Sequence, residues 1–362
     1  MKRSPHFYLA LITLFGAVAR LWFFWSDGLH VDEKFTLDLV QHDLVYVIHY
    51  AMTNDCNPPL FYIIDWFSVA LFGANAFAER LPSVIFGILL IPSVYFLGKE
   101  IRGDTLGLLS ALAVSTLGSM WYYSGFGRSY MLNCLLFTWF CIYFIRLSRE
   151  KDGNSDNWIG LIVTVVWLAY SHLFTVVPVG ILTLYLIIKR KGNAIRASIL
   201  AFLLASPLFL LFNAILKDRA VSREIAAQSW NWYGATVPQI IIFAPLEFFS
   251  YSFVFWIPLI AYATWTYRKM QELVIIIVSW LASFGVLLLL ADITPVFIRY
   301  TILAVPAAMA IGLLPVADFL DNPEVTKAQK WFVMGTFGTM YFAVIAFAFT
   351  SGLYLPKGVI VV

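Results

Sequence analysis

The feature that most limits what this chain can become is the recurrence of long apolar runs from Phe7 to Thr350. A helix needs about 20 apolar residues to cross the hydrocarbon core of a bilayer. Candidate runs lie near 7–25, 80–98, 105–122, 131–147, 158–171, 173–188, 197–215, 248–267, 272–290, 298–316 and 331–350. Inside lipid every backbone N–H and C=O must find a partner within the protein, so a spanning chain is either helical or a closed barrel. A barrel would show short strands of alternating polarity, and the sequence carries no such alternation. An all-α, polytopic membrane protein of about eleven transmembrane helices is predicted, built as a single membrane domain over 1–362. Hydrophobic residues make up 61% of the chain and charged residues 12%. Those values exclude a soluble globular domain, which carries roughly 25% charge, and equally a disordered chain. The small net charge of +3 is spread along the sequence and gives no footprint for nucleic acid. Cys56, Cys134 and Cys141 form neither a disulfide framework nor a metal-binding spacing.

The run 58–72 is the ambiguous one. It follows Asn57, opens with Pro58-Pro59 and carries Asp65 in its middle. If it crossed, every later loop would change sides, and the distribution of basic residues decides between the alternatives. With the N-terminus inside and 58–72 not crossing, inner segments hold 15 Lys and Arg and outer segments 8; with 58–72 crossing, the split becomes 9 and 14. The first arrangement is predicted. It gives a cytoplasmic N-terminus, an uncleaved first span, a long first outer loop over 26–79 with 58–72 packed at the outer face, and a second sizeable outer loop at about 216–247. Within the first loop, Val40, Leu44, Val47, Ile48 and Ala51 recur at helical spacing, which predicts one interfacial amphipathic helix over 38–52.

Residues 27–79 hold eight acids, namely Asp27, Asp32, Glu33, Asp38, Asp43, Asp55, Asp65 and Glu79, opposed by Lys34 alone. Outer loops tolerate acids, which accounts for most of them. It accounts less well for Asp32-Glu33, placed just after the first span, where a carboxylate at the rim of an apolar cavity can serve as a general base. His30, His42 and His49 share the loop, and with Asp32 they could complete a divalent-metal site, although interfacial histidines ordinarily only hydrogen-bond. Arg128, His172 and Arg299 fall at outer ends of spans. Each reads either as an interfacial anchor or as part of an outer pocket with acid on one wall and cations on another, an arrangement suited to an anionic, phosphate-bearing lipid.

Taken in order, Val31-Asp32-Glu33, Asn57-Pro58-Pro59-Leu60-Phe61-Tyr62, Phe72-Gly73, Glu79-Arg80-Leu81-Pro82-Ser83 and Leu97-Gly98-Lys99 resemble the membrane glycosyltransferases of GT-C type that use polyprenyl-phosphate sugars. The branch most similar is that of the protein O-mannosyltransferases and aminoarabinose (lipid A) transferases. Tyr123-Ser124 followed by Arg128-Ser129-Tyr130 resembles that family's second outer-loop motif, and Tyr170-Ser171-His172 and Arg299-Tyr300 with Pro306 are similar to later ones.

The resemblance implies an inverting transfer from a polyprenyl-phosphate-linked sugar to an acceptor hydroxyl on a lipid, glycan or protein, outside the plasma membrane. Asp32 would be the general base, with Glu33 in support, and Arg128 and Arg299 would bind the donor phosphate. Asp55, Asn57, Tyr62, Arg80, Tyr130, His172 and Tyr300 are further pocket candidates. Asn57 is neutral where related sequences often carry His or Lys, which weakens any phosphate contact there. The leaving group is already an anionic phosphate, so no general acid is needed, and the resemblance implies no required cofactor. Membrane lipids are partners by necessity. The competing readings are a transporter or flippase of a lipid-linked sugar, for which neither internal repeats nor many midspan charges are visible, and a non-catalytic lipid-binding subunit of the same fold.

Overall fold

A computed structural model of the protein describes residues 4–24, 28–54, 57–150, 156–189, 192–219, 237–290 and 297–350. Among the described residues the regular structure is helical throughout. The chain opens with α1 (Pro5–Phe24), α2 (Val31–Leu39), α3 (Leu44–Thr53) and α4 (Pro59–Phe72). It continues with α5 (Ala76–Arg102), α6 (Asp104–Thr116), α7 (Gly118–Ser124), α8 (Tyr130–Arg149), α9 (Asn157–Ser171), α10 (Val176–Ile188) and α11 (Gly192–Arg219). The last third holds α12 (Val237–Phe249), α13 (Phe253–Thr266), α14 (Gln271–Leu290), a 3-10 segment Ile298–Ala304, α15 (Val305–Gly312), α16 (Leu314–Asp321) and α17 (Lys327–Thr350). Among the described residues the predicted runs fall on helical stretches, with 105–122 interrupted at Leu117. Among the described residues six stretches are long and apolar enough to cross a membrane, or seven if the bent pair α6–α7 is one span, while α9, α10 and part of α11 are shorter apolar helices.

Contacts sort the helix ends into two groups. At one end Arg102 pairs with Asp318 at 2.8 Å, Arg146 with Glu100 at 2.8 Å and Arg149 with Glu272 at 3.0 Å. These are the segments that the distribution of basic residues assigns to one side. At the other end lie α2, Arg80, Arg128, His172 and Arg299. The behaviour of α4 follows directly. Glu33 precedes it and Arg80 follows it, and the two side chains pair at 2.7 Å. The stretch between them, which holds α3 and α4, therefore returns to the layer from which it set out. Helix α4 packs between α3 and α5 and against α9, and buries Phe61, Tyr62, Asp65 and Val69.

The turn from α5 into α6 uses Gly103 at φ 95°, a conformation that costs a residue with a Cβ roughly 1–2 kcal/mol. Between α6 and α7 the path bends by 64°. Leu117 is extended there, so the last carbonyls of α6 lose their helical donors. Side chains replace them. Arg20, buried near the C-terminal end of α1, donates from Nη2 to the Val114 carbonyl at 3.2 Å and from Nε to Ser124 Oγ at 3.1 Å. Trp121 Nε1 donates to the Ser115 carbonyl at 2.6 Å. An unsatisfied backbone group in hydrocarbon costs several kcal/mol, so Arg20 and Trp121 make this broken helix tenable. The bend aims α7 and the following loop, 125–129, at the functional end.

The expectation of one helix over 38–52 is corrected. α2 ends at Leu39 and α3 begins at Leu44. Asp43 caps α3 by accepting from the Tyr46 N–H at 3.0 Å. The apolar spacing across 40–44 continues by coincidence, because an Asp that caps a new helix outweighs periodicity over a single turn. Val40, Val47 and Ala51 still share one small core, now joined by Tyr62, Val69 and Ala78 from α4 and α5.

Candidate active site

The site grows from the first turn of α2. His30 is its N-cap: Nδ1 accepts from the Asp32 N–H at 3.2 Å, and the His30 N–H donates to Glu33 Oε2 at 2.8 Å. This is a capping box with histidine in the serine position. It turns the two acids in opposite directions. Glu33 is fully buried, whereas the Asp32 side chain is 32% exposed.

Glu33 is saturated by donors. Besides the His30 N–H it accepts from Arg80 Nε at 2.7 Å and Nη2 at 2.8 Å, and from the Gly127 N–H at 2.8 Å. One carboxylate thereby ties α2, α5 and the 125–129 loop together. Arg80 also donates to the Gly28 carbonyl at 3.1 Å. The loop is held from two further directions. Ser83 Oγ donates to the Arg128 carbonyl at 3.0 Å, and Gly127 lies so close to Glu79 that a Cβ at that position would fall 2.7 Å from Glu79 Cγ.

Held in this way, Arg128 donates from Nη1 to Thr36 Oγ1 at 2.6 Å, with Tyr62 Oη at 3.4 Å and the Tyr62 ring beneath the guanidinium. Arg299 arrives from the 3-10 segment on the far side of the chain. Its Nη2 donates to Asp32 Oδ2 at 3.1 Å. Its guanidinium lies 4.2 Å from the Phe297 ring centroid and 5.8 Å from that of Tyr130. Arg299 is buried, and among the described residues its Nε finds no acceptor. A buried charged donor left unpaired costs several kcal/mol, so it is poised for an acceptor from outside the chain.

His172 closes the back of the pocket. Its Nδ1 accepts from the Phe174 N–H at 3.1 Å, and its ring lies 4.8 Å from that of Tyr300 and 6.4 Å from that of Tyr130. Burial, with the Arg128 and Arg299 charges adding to it, pushes the imidazole down to about 3, so it is a neutral wall. Below this layer Tyr123 donates to the buried Glu247 of α12, and Ser119 Oγ donates to the Phe248 carbonyl at 2.7 Å. Phe248 and Trp280 line an apolar cavity of about 650 Å³ between α12, α13 and α14. Trp280 Nε1 donates to the carbonyl of Thr301, two residues along from Arg299, at 3.0 Å. The cavity thus abuts the layer that carries the guanidinium.

Of the residues singled out in the sequence, Asp32, Glu33, Tyr62, Arg80, Arg128, Tyr130, His172, Arg299 and Tyr300 converge here. Asn57 is half-buried just ahead of α4. Asp55 lies outside the described residues, as do Asp27 and 220–236 of the second outer loop. His42 and His49 are exposed, while His30 caps α2, and among the described residues no three ligand-type side chains gather around a common point. Thr36, the Asp65–Glu79 pair and Glu247 escaped the sequence reading. Glu247, a lone acid in an apolar stretch, carried a usable signal, because ionisable groups within spans are functional by default.

Residues 56–217 match the family model of the dolichyl-phosphate-mannose-protein mannosyltransferases. No curated protein sequence matches the chain. Among solved structures the chain is similar to ArnT from Cupriavidus metallidurans bound to undecaprenyl phosphate, with a TM-score of 0.62 at 14% identity over 92% of this chain and 63% of ArnT. It is also similar to the archaeal oligosaccharyltransferase AglB from Archaeoglobus fulgidus, in complex with an inhibitory peptide and a dolichol-phosphate. There the TM-score is 0.57 at 12% identity, over 94% of this chain and 55% of AglB. The fold is that of the GT-C type membrane glycosyltransferases, and the chain spans less than two thirds of the length of these two relatives.

Proposed function

We propose that the chain is an inverting glycosyltransferase that moves a sugar from a polyprenyl-phosphate donor to an acceptor hydroxyl on the extracytoplasmic side of the plasma membrane, with its N-terminus in the cytoplasm. The observation that carries this reading is the Asp32–Arg299 pair, with an unsatisfied guanidinium nitrogen, beside an apolar cavity and next to a second arginine. The relatives support the donor class: ArnT was solved with undecaprenyl phosphate and AglB with a dolichol-phosphate.

The geometry suggests an order of events. In the resting site Arg299 leans on Asp32. A donor phosphate competes for that guanidinium and takes up its orphaned Nε–H, while Arg128, braced on Thr36 and Tyr62, meets the phosphate from the other side. Asp32 then loses a donor and becomes available to an acceptor O–H. The acceptor proton passes to the Asp32 carboxylate as its oxygen bonds to the anomeric carbon. The bond from that carbon to the phosphate oxygen breaks, and the electron pair leaves with the polyprenyl phosphate, whose charge the two guanidinium groups stabilise. Attack opposite the leaving group inverts the configuration.

The test is purified protein in nanodiscs supplied with polyprenyl-phosphate sugars, the anomeric configuration of any product being read by NMR. Arg299→Lys should lower transfer about 10²-fold, because an ammonium cannot present Nε and Nη2 together to one phosphate. Wild-type rates for that variant would remove the phosphate role. The cavity gives an independent check. Ala261 is exposed at its mouth, so Ala261→Trp should fold normally yet obstruct an isoprenoid chain. KM for a long-chain donor should rise several-fold while that for a short-chain donor stays put. Equal effects on both would place the chain elsewhere.

A further inference from the structure

Behind the Arg128 loop sit two carboxyls for which the reaction above has no use. Asp65, in the middle of α4, and Glu79, in the first turn of α5, are both fully buried. Their side chains face one another within hydrogen-bonding reach. None of their four oxygens receives an N–H or O–H from the described residues. The other charged groups facing them are Glu33 from α2 and Arg128 from the loop. Two ionised carboxylates cannot be buried against each other with no donor. A single proton between them satisfies both at once, as one carboxyl donates to the other.

The pair also bears on the loop mechanically, since Glu79 packs against Gly127, whose N–H is bound by Glu33 and whose neighbour is Arg128.

We propose that Asp65 and Glu79 share one proton and that this pair is a positioning element, setting the charge and the placement of the loop that presents Arg128 to the donor phosphate. The positioning half rests on the glycosyltransferase reading, whereas the shared proton does not. Burial raises the Asp65 carboxyl to about 7, so the pair goes from two protons to the single shared one as pH rises through neutrality. The sign of the linkage follows. The folded protein holds a proton that the unfolded chain has already lost above the ordinary carboxylate range. This contribution to stability is therefore full in acid and falls as pH rises toward 7 and beyond.

Three measurements on purified protein test this. Infrared spectra at neutral pH should show the C=O stretch of a protonated buried carboxyl, lost in both Asp65→Asn and Glu79→Gln, because in each variant an amide donates to an ionised partner. The decline of the thermal midpoint between acid and neutral pH should flatten in the same two variants. Persistence of the band in both, or an unaltered pH slope, overturns the shared proton. For the positioning role, Glu79→Leu should raise donor KM by roughly tenfold with kcat less affected, whereas unchanged KM overturns it. If the wild-type protein transfers no sugar at all, the function proposal fails while the spectroscopic and thermal results still stand on their own.

Discussion

Asp32→Asn is expected to abolish sugar transfer and leave the protein folded with its donor bound. The amide has nearly the same size, and the backbone contacts of the α2 first turn do not involve the Asp32 carboxylate. Arg299 Nη2 can still donate to the amide oxygen, so the pocket wall keeps its shape. What disappears is the capacity to take a proton from an acceptor hydroxyl. General-base loss costs typically about 10²–10⁴ in rate. The measurements are turnover with a polyprenyl-phosphate sugar, and retention of the donor by native mass spectrometry. Full turnover would remove Asp32 from the chemistry. Lost turnover together with lost donor binding would mean that the carboxylate orients Arg299 rather than acting as the base.

Its neighbour should behave in the opposite way. Glu33→Gln is expected to damage the fold first and activity as a consequence. The Glu33 carboxylate accepts from His30, Gly127 and two nitrogens of Arg80 while fully buried. A glutamine turns one of those acceptor oxygens into an NH₂ group that opposes the guanidinium or the amides, and it removes the carboxylate charge that pairs with Arg80. Breaking a buried ion pair by removing one partner costs about 3–5 kcal/mol. The thermal midpoint in detergent should fall by many degrees, and donor affinity should fall with it as the Arg128 loop loosens. A variant of wild-type stability that is catalytically dead would move Glu33 from support into the chemistry. The capping box explains why two adjacent acids have such different duties: Glu33 reaches back to the cap and inward, and Asp32 is left facing the pocket.

Much of the architecture was legible in the sequence because lipid restricts the options so severely. Long apolar runs can only become helices, and the predicted runs fall on helical stretches, although 105–122, 248–267 and 298–316 each pass from one helix to the next. The distribution of Lys and Arg groups the loops into two sets, and in the structure ion pairs such as Arg146–Glu100 and Arg149–Glu272 collect at one end and Arg80, Arg128 and Arg299 at the other. The interfacial segment was less legible. Asp43 capping a second helix is a local hydrogen bond that interrupts no hydrophobic pattern, so periodicity alone read through it.

The sequence by itself determined a helical membrane protein with acids and arginines at one end, because those properties follow from hydrophobicity, charge and the order of a few motifs. Only the tertiary structure decided which charges meet. Arg299 lies 267 positions from Asp32 and Gly127 lies 94 from Glu33, separations at which spacing carries no information about contact. It also decided that Asp65 and Glu79 face each other with no donor to their oxygens among the described residues. Their burial is produced by the packing of α4 on α5 rather than by either helix alone, and within each run the acid reads only as an interruption of an apolar face.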